Sequence, residues 1–221
     1  MMKMKKIFVA FVTILMSAMS MQANAQILSN IEGMPPYKLG ATVGLNMPCF
    51  SGDPYTYSIG FQTGLNLMVD GSEIMKNTFG RVEVKYSMKG AYHEFIVSHG
   101  DYIKDWYTTH YLEIPIHAGY AWYIDEDWSL MAEAGPYLAL GLFGKAKTER
   151  ANMGQVSHWE DSFFSSPINA NRFDLGMGLQ VSAMYLKDYQ VHVAYDFGFI
   201  NMHSSFQQNR NLSVGFTYFF E

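Results

Sequence analysis

One cysteine, Cys49, in 221 residues excludes an internal disulfide. It thereby excludes the small disulfide-stapled domains common among exported proteins. Charge is scarce too: Asp, Glu, Lys and Arg make up 16% of the chain, against about 25% in ordinary soluble proteins. Helical periodicity is missing beyond the N-terminal segment, and no later apolar run reaches the ~20 residues that a transmembrane helix needs. No G-x-S-x-G and no phosphate-binding glycine loop occurs. The seven histidines (His93, His99, His110, His117, His158, His192 and His203) lack metal-ligand spacing. Cys49 follows Pro48 in a stretch read as a loop, and no His and Asp constellation supports it as a nucleophile. Clustered Lys and Arg, which nucleic acid would demand, are missing. The expectation is therefore no catalytic residue, no metal site, no cofactor and no nucleic-acid partner.

Aromatics, at 16%, and 19 glycines are what the chain has instead. It opens MMKMKKIFVAFVTILMSAMSMQANAQ. Lys3, Lys5 and Lys6 form a basic n-region, Ile7 to Met19 a short apolar h-region, and Ala23-Asn24-Ala25 a small-x-small cleavage site. We read residues 1–25 as a signal peptide cut between Ala25 and Gln26, because the apolar run is too short to span a bilayer. Cleavage removes three of the 15 basic side chains and none of the 20 acidic ones, leaving 12 against 20, a formal charge of −8. Residues 26–37 then form a short N-terminal periplasmic segment, and 38–221 a single barrel domain.

That domain alternates apolar and polar residues with period two, the mark of strands with two unlike faces. Eight such stretches are expected, at 38–47, 58–68, 79–89, 111–123, 128–143, 172–185, 189–200 and 211–220. In the last, Leu212, Val214, Phe216, Tyr218 and Phe220 share one face, and Asn211, Ser213, Gly215 and Thr217 the other. Short links at Asp125-Glu126-Asp127 and Lys187-Asp188 alternate with long ones, the polar 145–171 stretch above all. VDGSEIMKN, 69–77, is the longest link at the short-turn end. An even strand number with short turns at one end and long loops at the other implies an all-β, eight-stranded antiparallel up-and-down transmembrane β-barrel.

Side-chain size decides which face points in. One face carries Leu, Phe, Trp and Tyr; the other is rich in Gly, Ser and Thr with scattered charges. An eight-stranded lumen has room only for side chains, so the small and charged face turns inward and the bulky face meets lipid. The outward aromatics gather by height: Tyr37, Tyr120, Trp122, Trp128, Tyr185, Tyr189, Tyr218 and Phe220 at the short-turn end, Tyr86, Phe173, Phe197 and Phe199 at the other. Trp and Tyr prefer membrane interfaces, so this placement makes one girdle and part of a second.

The segments KLGATVGLN (38–46), YLEIPIHAGY (111–120), EAGPYLALGL (133–142), RFDLGMGLQV (172–181) and NLSVGFTYFF (211–220) resemble the small outer-membrane β-barrel family of Gram-negative bacteria that includes PorT-like proteins. YLEIP and AGPYL are the more specific pieces. Pro115 removes a ladder donor within a strand, and the family resembled tolerates a proline there. The terminal aromatics resemble the C-terminal signal read by barrel-assembly machinery, with Glu221 after Phe220 as a departure. The resemblance implies fold, an outer-membrane location and outer-membrane lipid as surroundings. It does not carry a function, because its members do several things.

Inward charges are expected at Arg81, Glu83, Lys85, Glu113, Glu133, Asp174 and Asp196, alongside Lys38, Lys89, His117 and His192. Both signs occur, and buried charges need partners, so the expectation is a structural ion-pair network. The loop HEFIVSHGDYIKDWYTTH, 93–110, offers Tyr102, Trp106 and Tyr107 as a binding surface or as strand extensions. Three function classes fit these readings. One is a non-enzymatic integral barrel acting through its extracellular loops or within an envelope assembly, with a possible envelope protein partner. Another is a small porin or solute channel. The last is a soluble lipocalin-like periplasmic carrier, although the lipocalin Gly-x-Trp is missing near the first strand.

Overall fold

The computed structural model describes residues 37–52, 55–98, 101–152, 154–203 and 208–220. The expected signal peptide, its Ala25–Gln26 junction and the 26–36 segment lie outside them. Nine strands follow in chain order among the described residues: β1 (Tyr37–Phe50), β2 (Gly60–Asp70), β3 (Thr78–Ser98), β4 (Asp101–Tyr123), β5 (Trp128–Asn152), β6 (Gln155–Ser162), β7 (Phe173–Tyr185), β8 (Tyr189–Gly198) and β9 (Asn209–Phe219). Each neighbouring pair is antiparallel, and β1 pairs with both β2 and β9 while β4 pairs with β5. Eight strands thus close a ring, and β6 stands outside it, paired only to the last eight residues of β5.

The faces divide as their side chains demand. Val43, Leu45, Leu138, Leu140, Val181, Val191 and Phe216 point outward and are exposed, while Thr42, Asn46, Glu113, Gln190 and Ser213 point in and are buried. Exposed apolar side chains all around a closed sheet suit a lipid solvent and would be costly in water. Ring contacts link the girdle at the turn end: Tyr120–Trp122 at 5.0 Å, Trp128–Tyr185 at 4.8 Å and Tyr189–Tyr218 at 5.3 Å between centroids. The second girdle is fuller than the sequence reading had it, because Phe61 packs on Tyr86 and Phe143 stacks on His110 at 4.2 Å.

Connections at the turn end are fixed locally. The Asp125 carboxylate accepts from the backbone amides of Asp127 (2.9 Å) and Trp128 (2.7 Å), and Asp70 holds Ser72 in the same way in the 71–77 turn. Lys38 reaches across to the last turn, donating to the Lys187 carbonyl at 2.9 Å and pairing with Asp188 at 3.5 Å.

Strand length separates two parts of the molecule. β2, β8 and β9 have 11, 10 and 11 residues, the ~9–11 that a bilayer crossing takes. β3, β4 and β5 have 21, 23 and 25. Their excess, on the order of ten residues each, adds roughly 30 Å of strand beyond the loop end. The expected long loops at 93–110 and 145–171 are therefore corrected: the first is a β3–β4 hairpin and much of the second is a β5–β6 hairpin. Hydrogen bonding between strands continues there although the apolar alternation that marks lipid contact has stopped.

Candidate functional site: the filled lumen and the loop-end sheet

The lumen is layered. At the turn end Phe79, Ala121, Met131, Met184 and Phe219 form an apolar plug, joined by Met68. The Arg81 guanidinium rests above it, 5.8 Å from the Phe79 ring centroid and 5.7 Å from that of Phe219. Arg81 Nε lies 3.0 Å from Glu133 Oε2, and its Nη1 donates to Gln190 Oε1 at 2.9 Å. His117 Nδ1 sits 3.2 Å from the same Glu133, and Gln190 passes the chain on to Ser182 at 2.6 Å.

The next layer centres on Glu113. Lys85 Nζ is 3.5 Å from its Oε2, and the Lys89 ammonium contacts its Oε1. Lys85 also faces Asp196 at 3.7 Å. Above, Asp174 accepts from Tyr137 Oη (3.1 Å) and Asn209 Nδ2 (2.9 Å), while Lys89 lies 4.9 Å over the Tyr137 ring. A larger apolar plug closes the loop end: Phe50, Tyr111, Tyr137, Phe163, Phe164 and Met202 are among its buried members, with Tyr55, Tyr107 and Ile168 packed against them.

Of the seven expected lumen charges, five make ion pairs: Arg81, Lys85, Glu113, Glu133 and Asp196. Asp174 joins through hydrogen bonds alone. Glu83 stands apart, half-buried, with its Oε1 enclosed and without a hydrogen-bond partner among the described residues. It lies opposite Pro115, where the ladders are irregular. The β3–β4 pairing skips Glu83 and Val84, and the β4–β5 pairing skips Ile116 and His117, where Pro115 and Pro136 supply no amide donors. Lys89, Gln190, Tyr137 and Asn209 belong to the network as well. Tyr137 had a sequence signal: it shares its parity with Glu133, Gly135, Ala139 and Gly141, the inward residues of β5.

Beyond the barrel, β3 to β6 form an open four-stranded sheet with two faces. Tyr92, Glu94, Tyr102, Lys104, Trp106, Lys147, Glu149, His158 and Glu160 occupy the outer face, continuous with the lipid-facing side. Its charges are paired: Glu94 with Lys104 at 3.3 Å, Glu160 with Lys145 and Lys147, and Tyr102 Oη donating to Glu149 at 2.7 Å. The Lys145 ammonium holds the Glu160 carboxyl below its ordinary range. The inner face, continuous with the lumen side, carries His93, Asp105, Tyr107, Thr148, Arg150, Ser157 and Trp159 by register. The three expected loop aromatics consequently do not form one surface. Tyr102 and Trp106 are on the outer face, Trp106 against Tyr92 at 5.5 Å. Tyr107 turns inward and packs into the plug, 5.6 Å from Phe50 and 5.9 Å from Phe163.

No group of His, Cys, Asp and Glu suited to a metal ion occurs among the described residues. A hydroxyl–carboxylate–imidazole row lies on the inner face, with the carboxylate and not the imidazole next to the hydroxyl. Thr148 Oγ1 donates to Asp105 at 2.6 Å, and His93 touches the other side of that carboxylate at 3.5 Å. In the hydroxyl–imidazole–carboxylate arrangement the imidazole stands next to the nucleophile.

A closed ring of eight strands with an apolar exterior, two aromatic girdles and a charged interior defines a transmembrane β-barrel. The chain belongs to the family described as outer membrane protein beta-barrel domain, whose model matches residues 24–204. That match is to the barrel family as a whole and does not carry the PorT-like label. No curated protein matches in sequence. Among solved structures, Neisserial surface protein A shares 14% identity, covering 86% of this chain and all of that one, with a TM-score of 0.43. Ail of Yersinia pestis shares 16% identity over 85% of this chain and all of its own, with a TM-score of 0.38. The outer membrane enzyme PagL shares 14% identity over 82% and 98%, also at 0.38. The fold assignment rests on the strand register of this chain itself.

Proposed function

We propose that this protein is a sealed, non-enzymatic outer-membrane barrel that holds the β3–β6 sheet outside the cell, where the sheet meets its ligand or an envelope partner. The filled lumen carries this reading: paired charges lie between apolar plugs at both ends, so the described residues leave no continuous polar path through the interior. Eight strands leave an interior that side chains fill, whereas aqueous channels come with about 16. The short turns belong on the periplasmic side and the extended sheet on the cell surface, following the asymmetry of bacterial barrels. The aromatic end of β9 supports delivery by barrel-assembly machinery.

Planar-bilayer recording of the refolded protein should show no stable conductance. Large, voltage-independent steps would overturn the sealed reading in favour of the channel. Protease added to intact cells should cut within the 145–171 stretch and spare the 125–127 turn; the reverse pattern would invert the orientation. The N-terminal Lys3, Lys5, Lys6 and Ala-x-Ala pattern supports export with cleavage, and intact mass of the membrane-inserted protein should begin at Gln26. A mature species retaining the three lysines would reject that step.

A further inference from the structure

The inner face of the β5–β6 hairpin holds a groove of about 460 Å³ lined by Arg150, Asn152, Gln155, Ser157 and Trp159. Its chemistry differs from the rest of the sheet. On the outer face every lysine has a carboxylate partner: Lys104, Lys145 and Lys147 all do. Arg150 has neither an ion pair nor a hydrogen bond among the described residues. Directly opposite it across the ladder is Ser157, not an acid. The carboxylate of Asp105 is taken up by Thr148 and His93. Asp161 lies four residues along β6 from Ser157, two same-face steps away, and its ladder partner is Ala146. Trp159 is 51% exposed and has no ring partner among the described residues. Burying it against a neighbouring strand was open to this sheet, as Tyr92 and Trp106 show on the other face.

We infer that this groove binds an acidic oligosaccharide, with Arg150 on the acidic group and Trp159 beneath the sugar ring. A guanidinium presents a planar fork of donors that fits a carboxylate or phosphate in two-point fashion. A flat aromatic face offers dispersion contact to the C–H face of a pyranose and loses little side-chain entropy in doing so. Asn152, Gln155 and Ser157 supply neutral groups that donate and accept, the need of sugar hydroxyls, whereas a site for a bare ion would not require them. A groove of this size takes a few sugar units and not a folded partner. An acidic peptide would satisfy Arg150 equally but leaves the exposed Trp159 face and the three neutral groups without a matching role. The inference rests on the proposal that the sheet is the working part of the molecule.

The test uses the full mature chain refolded into phosphatidylcholine nanodiscs, with fluorescein-labelled tetragalacturonate as the probe and anisotropy as the readout. Saturable binding is expected. Arg150→Gln and Trp159→Ala should each weaken it at least about ten-fold, a loss of about 1.4 kcal/mol. Lys147→Gln, which removes the same charge from the opposite face, should change it by no more than about two-fold. Arg150→Lys should fall between wild type and Arg150→Gln, because it keeps the charge and loses the fork. Retained heat-dependent mobility in SDS shows that each variant is folded. Three results would overturn the inference: no saturable binding to folded wild type, a Lys147→Gln loss equal to that of Arg150→Gln, or no effect of Trp159→Ala. Equal competition by tetraglutamate would convert the groove to a peptide-carboxylate site and also reject it. Because binding is read on purified protein, it is independent of sidedness. Binding with a hairpin protected from external protease leaves the groove standing and sinks the surface reading. A cleavable hairpin with no binding does the opposite.

Discussion

Replacing Glu113 with Ala is expected to lower the stability of the refolded barrel by about 3–5 kcal/mol, the range for breaking one side of a buried ion pair. Glu113 is 1% exposed and serves two cations, Lys85 and Lys89. The two are not equally dependent on it. Lys85 keeps Asp196 at 3.7 Å. Lys89 has no second carboxylate within ion-pair distance among the described residues, only the faces of Tyr137 at 4.9 Å and Tyr111 at 5.7 Å. Cation–π contact supplies on the order of 1–2 kcal/mol, less than the cost of an unpaired buried ammonium. Removing Lys89 together with Glu113, as Glu113→Ala/Lys89→Met, should therefore recover much of the loss. Glu113→Ala/Lys85→Met should recover less, because it leaves Lys89 stranded and takes a contact from Asp196. Urea unfolding in lipid vesicles, followed by heat-dependent mobility in SDS, measures all three. A Glu113→Ala protein as resistant as wild type, or equal recovery in the two double variants, would refute this account.

The ring of eight was legible because lipid imposes one rule on every strand: apolar out, small or polar in. Leu212 to Phe220, Val191 to Phe197 and Leu39 to Met47 each carry that rule without interruption. Beyond the girdles the rule lapses, and with it the signal. Residues 93–98, 101–109 and 144–152 keep their ladder bonds although their outer face no longer carries the apolar stripe that meets lipid, so they read as loops. β6 gives no alternation at all, since every residue from Gln155 to Ser162 is exposed.

The assumption that bulky side chains face outward failed at the barrel ends. Tyr111, Tyr137, Phe79 and Phe219 are buried, because the plugs need large apolar groups where the charged layers stop. Parity placed Tyr137 inward; size argued against it, and parity won. Glu83 shows the converse. Its parity and charge predicted a pair that the structure does not make; which acid finds a cation depends on the neighbouring strands and not on one strand's sequence. Arg150 and Trp159 were inside a stretch read only as polar. What sets them apart is the pairing of the other cations, which is visible only once β3 to β6 are side by side.

Gly135→Ala should be among the most damaging single methyls in the barrel, costing about 3 kcal/mol or more, the upper end for overpacking. Gly135 lies on β5 where the β4 ladder is interrupted by Pro115 and Pro136. A Cβ at this position would lie 2.0 Å from the Ile116 carbonyl oxygen and 2.8 Å from His117 Cα. Both are main-chain atoms of a closed sheet, so relief cannot come from a rotamer change. Moving β4 would also disturb His117, which is 3.2 Å from Glu133. The clash therefore spreads into the Arg81–Glu133 pair. Gly80 is the matched control, since a Cβ there meets nothing within 4 Å. Gly80→Ala should stay within about 0.5 kcal/mol of wild type, as surface substitutions do. The measurement is the urea midpoint together with the fraction that refolds into vesicles as the heat-modifiable form. Gly135→Ala should yield little folded barrel under conditions where Gly80→Ala refolds fully; equal yields and midpoints for the two would show that β4 and β5 can separate at no cost.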